Sequence, residues 1–152
     1  MLQPKFTVTE IAALERAYRE AIYEVYSDLE TIQLSIDRSC PKLDALIKQQ
    51  NCTNWALITA HNPYSQSLSA IENQQRHQQL VEHLQQLEFS WLPAVGKDYY
   101  GIWTPEQSLC ILGIELDRAI AIGRKFAQNA IVYGELNKPA KLKWVLTNVN
   151  SE

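Results

Sequence analysis

The chain has 152 residues, the length of one domain, and is 46% apolar and 20% charged, the balance of a soluble globular protein with one packed core. That composition excludes a disordered tail, a collagen, a coiled coil and a disulfide scaffold. Fourteen bases against seventeen acids leave a net charge of −3, so the domain as a whole is not built to grip nucleic acid.

Thr7 and Glu10 stand in capping-box spacing, and Ile11, Leu14, Tyr18, Ile22 and Val25 recur every three or four residues, which predicts a first helix. Tyr23–Tyr26 fits either the end of that helix or an extended segment. Ser27-Asp28 marks a turn, and Thr31–Asp37 alternates Ile32, Leu34 and Ile36 with polar residues, the pattern of a half-buried strand. Pro41 opens a short helix whose apolar side is Leu43, Leu46 and Ile47 and which ends near Asn51.

Trp55–Ala60 is a nearly continuous apolar run of strand length, expected at the centre of a sheet with both faces covered. His61-Asn62-Pro63-Tyr64-Ser65 ends it, and Ser69 with Glu72 forms a second capping box for a helix to about Leu87. Phe89–Val95 reads as a strand whose Pro93 points to an edge or bulge. After a loop at Gly96–Gly101, Leu109–Ile114 is a second central-strand candidate. A helix from about Glu115 to Ala127 follows, with Leu116, Ala119, Ile120, Gly123 and Phe126 as its apolar side and Gly123 permitting close approach to the sheet. Ala130–Tyr133 and Lys143–Leu146 complete the pattern as short strands. The expected fold is α+β: a single domain over 1–152, with a mixed β-sheet of five to seven strands flanked by three main helices and one short helix. Residues 1–50 supply a helix, a hairpin and the short helix, and 55–134 form the core that carries the motifs.

The second long helix holds the most informative pattern. Its core stripe is Leu80, Val81, Leu84 and Leu87, and stepping back along it lands on His77 and then Asn73. At 100° per residue Asn73 falls within about 10° of the stripe and His77 within about 30°. Arg76 borders the same face, and His83 lies about 90° off it, which predicts a surface residue. Buried polar groups need partners, so Asn73, His77 and Arg76 either brace the preceding turn or line a polar pocket. The turn leaves the carboxyl end of a central strand, where ligands gather beside helix N-termini. His61, Asn62, Ser65, Asn73 and Arg76 are therefore candidate ligand-binding residues. Trp103-Thr104-Pro105-Glu106 offers a carboxylate to balance Arg76 or act as a general base, although such a residue is more often a plain loop acid, and Gln128-Asn129 closes the last helix, where Asn commonly caps.

Walker-A, GxGxxG, HExxH and GxSxG patterns are all absent. The three histidines lack ligand spacing, and Cys40, Cys52 and Cys110 are odd in number without a CxxC. No metal and no cofactor is expected, and the cysteines suit a reduced, cytoplasmic compartment. The start carries no apolar leader segment, and no apolar run approaches the ~20 residues of a membrane span.

The run Ile58-Thr59-Ala60-His61-Asn62-Pro63-Tyr64-Ser65, then Glu72-Asn73, Arg76, Trp103 with Glu106, and Gln128-Asn129-Ala130 resembles the bacterial domain-of-unknown-function family numbered 3293. That family carries a TAxNP-x-S turn, an EN pair, a W-x-E-like segment and a QNA in this order. The resemblance covers about residues 55 to 134 well and the first 50 loosely. His61 stands where the family often has an aromatic such as Trp, and two residues separate Trp103 from Glu106. The family implies no activity, but its motifs coincide with the polar clusters above and so imply one shared site.

The leading expectation is a binding or regulatory domain that holds a small anionic or nucleotide-like ligand. Arg76 and the helix N-terminus would meet the anion, and Asn62, Asn73 and Gln128 would orient it. A second reading is a small hydrolase or transferase with Glu106 or His61 as base and Arg76 stabilising charge. A third uses the segment 118–143, where six bases face one acid, +5, and leave −8 for the remainder. That stripe would serve an interaction with nucleic acid or protein, with salt-sensitive binding to nucleic acid. Homo-oligomerisation stays open, and no catalytic residue is assigned.

Overall fold

A computed structural model describes residues 2–147. In chain order the elements are α1 (Val8–Glu20), β1 (Ile22–Tyr26), β2 (Thr31–Leu34), α2 (Pro41–Gln49), β3 (Asn54–Thr59), a single 3-10 turn (Pro63–Ser65), α3 (Ala70–Gln86), β4 (Ser90–Lys97), β5 (Glu106–Leu112), α4 (Leu116–Lys125), β6 (Ala130–Glu135) and β7 (Lys141–Trp144). The fold is α+β, in the expected order of elements. Both expected capping boxes are formed, Thr7 with Glu10 on α1 and Ser69 with Glu72 on α3. The apolar repeat of the first helix ends sooner than expected, because Ile22 and Val25 belong to β1, where Val25 is buried in a period of two.

All seven strands form one sheet in the order β2-β1-β4-β5-β3-β6-β7. Every pairing is antiparallel, so the sheet is not mixed as the alternation of helices and strands suggested. The physical reason lies in the crossovers. α3 leaves one end of β3 and returns as β4 two positions away, with antiparallel β5 filling the gap between them. Pro93 lies in an interior strand, but the pairing of β4 with β1 stops at Ala94. On that side Ser90–Pro93 is locally an edge, where a missing N–H is tolerated.

The sheet buries both faces. On one, Ala56 and Ile58 of β3 and Leu109 and Ile111 of β5 meet Leu80 and Leu84 of α3 and Ala119 and Ile122 of α4. On the other, Trp55, Leu57 and Cys110 join Tyr23, Val25, Ile32 and Leu34 and are covered by Leu43 and Ile47 of α2. The apolar run of β3 is thus explained by its central, doubly covered position. The helix α1 is different: none of its residues is fully buried. Arg19 at its end pairs with Asp37 of the loop after β2, which also receives Lys141 of β7 at 3.1 Å.

Two glycines are sites of close approach. A Cβ on Gly123 would stand 2.9 Å from the Val145 side chain and 3.0 Å from Ile131, as expected for a helix pressed onto the sheet. At Gly134 a Cβ would fall 2.2 Å from the Trp55 ring, which lies across it on the neighbouring strand. Replacing Gly134→Ala is therefore expected to destabilise the protein by about 1–3 kcal/mol or more, the cost of overpacking a filled core. Urea denaturation checks this, and an unchanged midpoint would mean that the indole moves aside freely.

Candidate functional site

The site grows from the way β3 ends. Thr59 turns its hydroxyl onto the Gln107 carbonyl at 2.7 Å and accepts the His61 N–H at 3.1 Å. The chain then bends through left-handed geometry at Asn62, Tyr64 and Ser65, with φ of 48°, 50° and 61°. Asn tolerates that region, whereas Tyr and Ser occupy it at a cost of about 1–3 kcal/mol each. The bend persists because the surroundings determine it from several sides. The Tyr64 N–H donates to the Ala127 carbonyl at 2.7 Å, and the Asn62 N–H donates to Asn73 Oδ1 at 2.9 Å.

Asn62 is the centre of this arrangement. Its Oδ1 accepts from Asn73 Nδ2 at 2.9 Å and from the Leu68 N–H at 3.0 Å, and its Nδ2 donates to Glu106 Oε2 at 3.2 Å. The carboxyl group of Glu106 opens β5 instead of sitting in a loop, because the strand starts three residues earlier than its apolar run. Arg76 has a different task from the expected one. Its Nε donates to the Ala60 carbonyl at 2.6 Å and its second guanidinium nitrogen to the Phe126 carbonyl, which ties the end of β3 to the end of α4. Gln128 Nε2 donates to the His61 and Phe126 carbonyls at 3.1 and 3.2 Å. Asn129 Nδ2 donates to Ser65 Oγ at 2.8 Å and Tyr18 Oη at 3.2 Å, while its Oδ1 is buried without a donor. The left-handed residue that closes α4 is Ala127 (φ 55°), not Asn129, with the Gln128 N–H reaching back to Gly123 at 2.9 Å in a Schellman closure.

These groups surround part of a cavity of about 530 Å³ under α1. Asn62, Ser65, Glu106, Gln128 and Asn129 line it, whereas His61, Asn73 and Arg76 do not. Asn73 and Arg76 stand behind the wall as braces. His61 packs edge to face against His77, with ring centroids 6.2 Å apart, and His61 Nε2 and His77 Nδ1 are both buried without a partner. Burial holds both imidazoles below their ordinary pKa. His83 is half-buried against Phe126 instead of on the surface. The lining that sequence reasoning missed includes one whole wall from the first 25 residues, Leu14, Ala17 and Tyr18 of α1 and Tyr23 of β1, beside strand residues such as Leu57, Val132 and Leu142. The one signal for it was an apolar stripe on α1, which sequence alone assigns to the core.

Among the described residues that line the cavity, Glu106 alone carries a formal charge. Burial pushes its carboxyl up from 4.5 to about 7, with the Asn62 bond opposing the shift. Tyr18 and Tyr23 are also pushed up by burial. The basic segment 118–143 is partly engaged elsewhere: Arg118 lies over the Phe89 ring at 4.7 Å, Lys138 pairs with Glu135 at 2.7 Å, and Lys141 with Asp37. Among the described residues no helix is long and apolar enough to cross a membrane, and no three His, Cys, Asp or Glu side chains cluster as metal ligands would.

Fold and cavity together define an α+β domain with an antiparallel sheet and a polar-ended cavity beneath its first helix. Residues 58–131 match the family described as protein of unknown function (DUF3293), so the resemblance seen in the motifs is borne out over that stretch. The match runs from β3 into β6 and includes Asn62, Glu106 and Gln128, while Tyr18 and Tyr23 lie before it. No curated protein and no solved structure matches the chain.

Two expectations follow. Asn73→Ala leaves the Asn62 N–H unpaired in a strained turn and should cost about 1–3 kcal/mol, read as a lower Tm. A variant as stable as the parent would show that the turn holds without its brace. Glu106 has a folded pKa raised above its unfolded value. Its stabilising contribution is therefore fully present below pH 4.5 and is lost as pH rises through about 7. The shift corresponds to roughly 3 kcal/mol, so Glu106→Gln should raise Tm by several degrees at pH 8 and by far less at pH 5. Equal effects at both pH values would contradict a buried, protonated carboxyl.

Proposed function

We propose that this chain is a small-molecule-binding domain whose ligand lies in the cavity between α1 and the sheet. The ligand would direct a polar group toward Glu106, Asn62, Ser65, Gln128 and Asn129. The observation that carries the reading is the cavity itself. At about 530 Å³ it falls in the range of ligand sites, and it combines apolar and aromatic walls with a few convergent polar groups. The strained turn supports it as well, since left-handed non-glycine residues gather at binding sites. A small anionic or nucleotide-like ligand held by Arg76 is the weaker form of the reading, because that guanidinium lies outside the cavity, bound to two backbone carbonyls, and no described lining residue is cationic.

A second reading, a hydrolase or transferase, is favoured by one observation. Glu106 has the pKa of a general acid or base at neutral pH, about 7. Within that reading Glu106 acts, and His61 and Arg76 stay outside the cavity.

Titration of the ¹⁵N-labelled full chain with a fragment library tests the binding reading. Hits should move the amide signals of Asn62, Ser65, Glu106, Gln128 and Asn129. Hits confined to the second hollow, lined by Ser39, Asp44, Lys48 and Asn137, or no hit from the whole library, would count against it.

A further inference from the structure

We propose that the cavity takes a small organic cation, an amine protonated at neutral pH and borne on an apolar body, with its ammonium group against the Glu106 carboxylate. This deepens the ligand-binding reading and rests on it. Four observations converge. First, among the described residues Glu106 is the single formally charged group lining the cavity, which gives it an unbalanced negative site. An ionised carboxylate buried without a partner is costly, and an opposite charge beside it removes that cost. Secondly, no internal cation fills this role. None of the ion pairs among the described residues involves Glu106, and Arg76, outside the cavity, is turned onto the Ala60 and Phe126 carbonyls.

Thirdly, acceptors are in surplus. A carboxylate has room for about four hydrogen bonds, yet that of Glu106 receives one, from Asn62 Nδ2. Asn129, only 2% exposed, has an Oδ1 with no donor. An ammonium group brings three donors and no acceptor, which is the complement required. Fourthly, the walls suit the rest of such a molecule. Tyr18, Tyr23 and Trp103 present aromatic rings that attract cations, and Leu14, Leu57 and Leu142 add apolar surface. An anion in the same place would meet a carboxylate with nothing to offset it.

The charge balance predicts a pH dependence with a definite sign. The ionisable groups facing Glu106 are Tyr18 from α1 and Tyr23 from β1, both raised by burial and hence neutral near pH 7. Among the described residues no Lys, Arg or His lines the cavity from any other element. The ammonium therefore binds the ionised form of Glu106 and releases its proton when the pH is below about 7. Affinity should fall as the solution becomes more acidic, approaching tenfold per pH unit.

The test is isothermal titration calorimetry on the full chain with three molecules of matched shape: 2-phenylethylamine, 2-phenylethanol and 3-phenylpropanoate. At pH 7.5 the amine should bind at least tenfold more tightly than the other two. At pH 5.5 its affinity should fall at least tenfold, and Glu106→Gln should remove at least a tenfold advantage. The pH comparison uses the unmodified chain, so it decides the matter even if the variant fails to fold. Alcohol or carboxylate binding as tightly as the amine overturns the cation assignment, and so does amine binding that is indifferent to pH. Absence of binding by all three at millimolar concentration overturns it too. The fragment titration addresses the cavity reading by itself, so the two failures are distinguishable.

Discussion

The polar end of the cavity hangs on one side chain, Asn62. It sits in a left-handed conformation at the exit of the central strand, and three groups fix its amide while a fourth holds its backbone N–H. Two of those bonds go to Asn73 at the first turns of α3, one to the loop leading into α3, and one to Glu106 on β5. A single residue thereby sets the distance between helix, strand and turn. Because the amide is committed on both its oxygen and its nitrogen, Glu106 is held by a donor that cannot turn away. Arg76 performs the matching task one layer out, binding the Ala60 carbonyl at the end of β3 and the Phe126 carbonyl at the end of α4.

This division explains why residues that resemble a site are not all in contact with it. Asn73, His77 and Arg76 occupy the face where α3 further on places leucines, and they are buried or half-buried there. Asn73 and Arg76 meet the requirement that buried polar groups find partners by bonding the turn and the chain ends beside it, not by facing an open space. His61 and His77 are the exception, each with a ring nitrogen lacking a partner. The side chains that do face the space, Asn62, Ser65, Glu106, Gln128 and Asn129, come from three separate chain segments brought together at the same end of the sheet.

Much of the fold was legible because its signals are local. Capping boxes at Thr7 and Ser69, the apolar run of β3 and the period-two alternation of β2 each depend on a few neighbouring residues. Strand order and direction were not legible, since they depend on which edges meet across long loops, and helix-strand alternation alone suggested parallel pairings. Within the site, geometry on α3 was readable from angular periodicity, which placed Asn73 and His77 inward. The role of Arg76 was not, because the carbonyls it binds are main-chain atoms sixteen and fifty residues away. The contribution of α1 was hidden for a related reason. A stripe of Leu14, Tyr18 and their neighbours looks the same whether it seals a core or covers a hollow.

That difference has a thermodynamic consequence. A helix with no fully buried residue, tethered at its end through Arg19 and Asp37, gains less from docking than α3 or α4, whose leucines and isoleucines are enclosed. Such a helix is expected to open locally before the sheet beneath it unfolds. A ligand of the kind proposed would supply contacts on the underside of α1, so occupancy and helix docking would be linked, each strengthening the other by the same factor. The first twenty residues would then report the filling of the cavity through their own protection from solvent exchange, without any rearrangement of the seven strands.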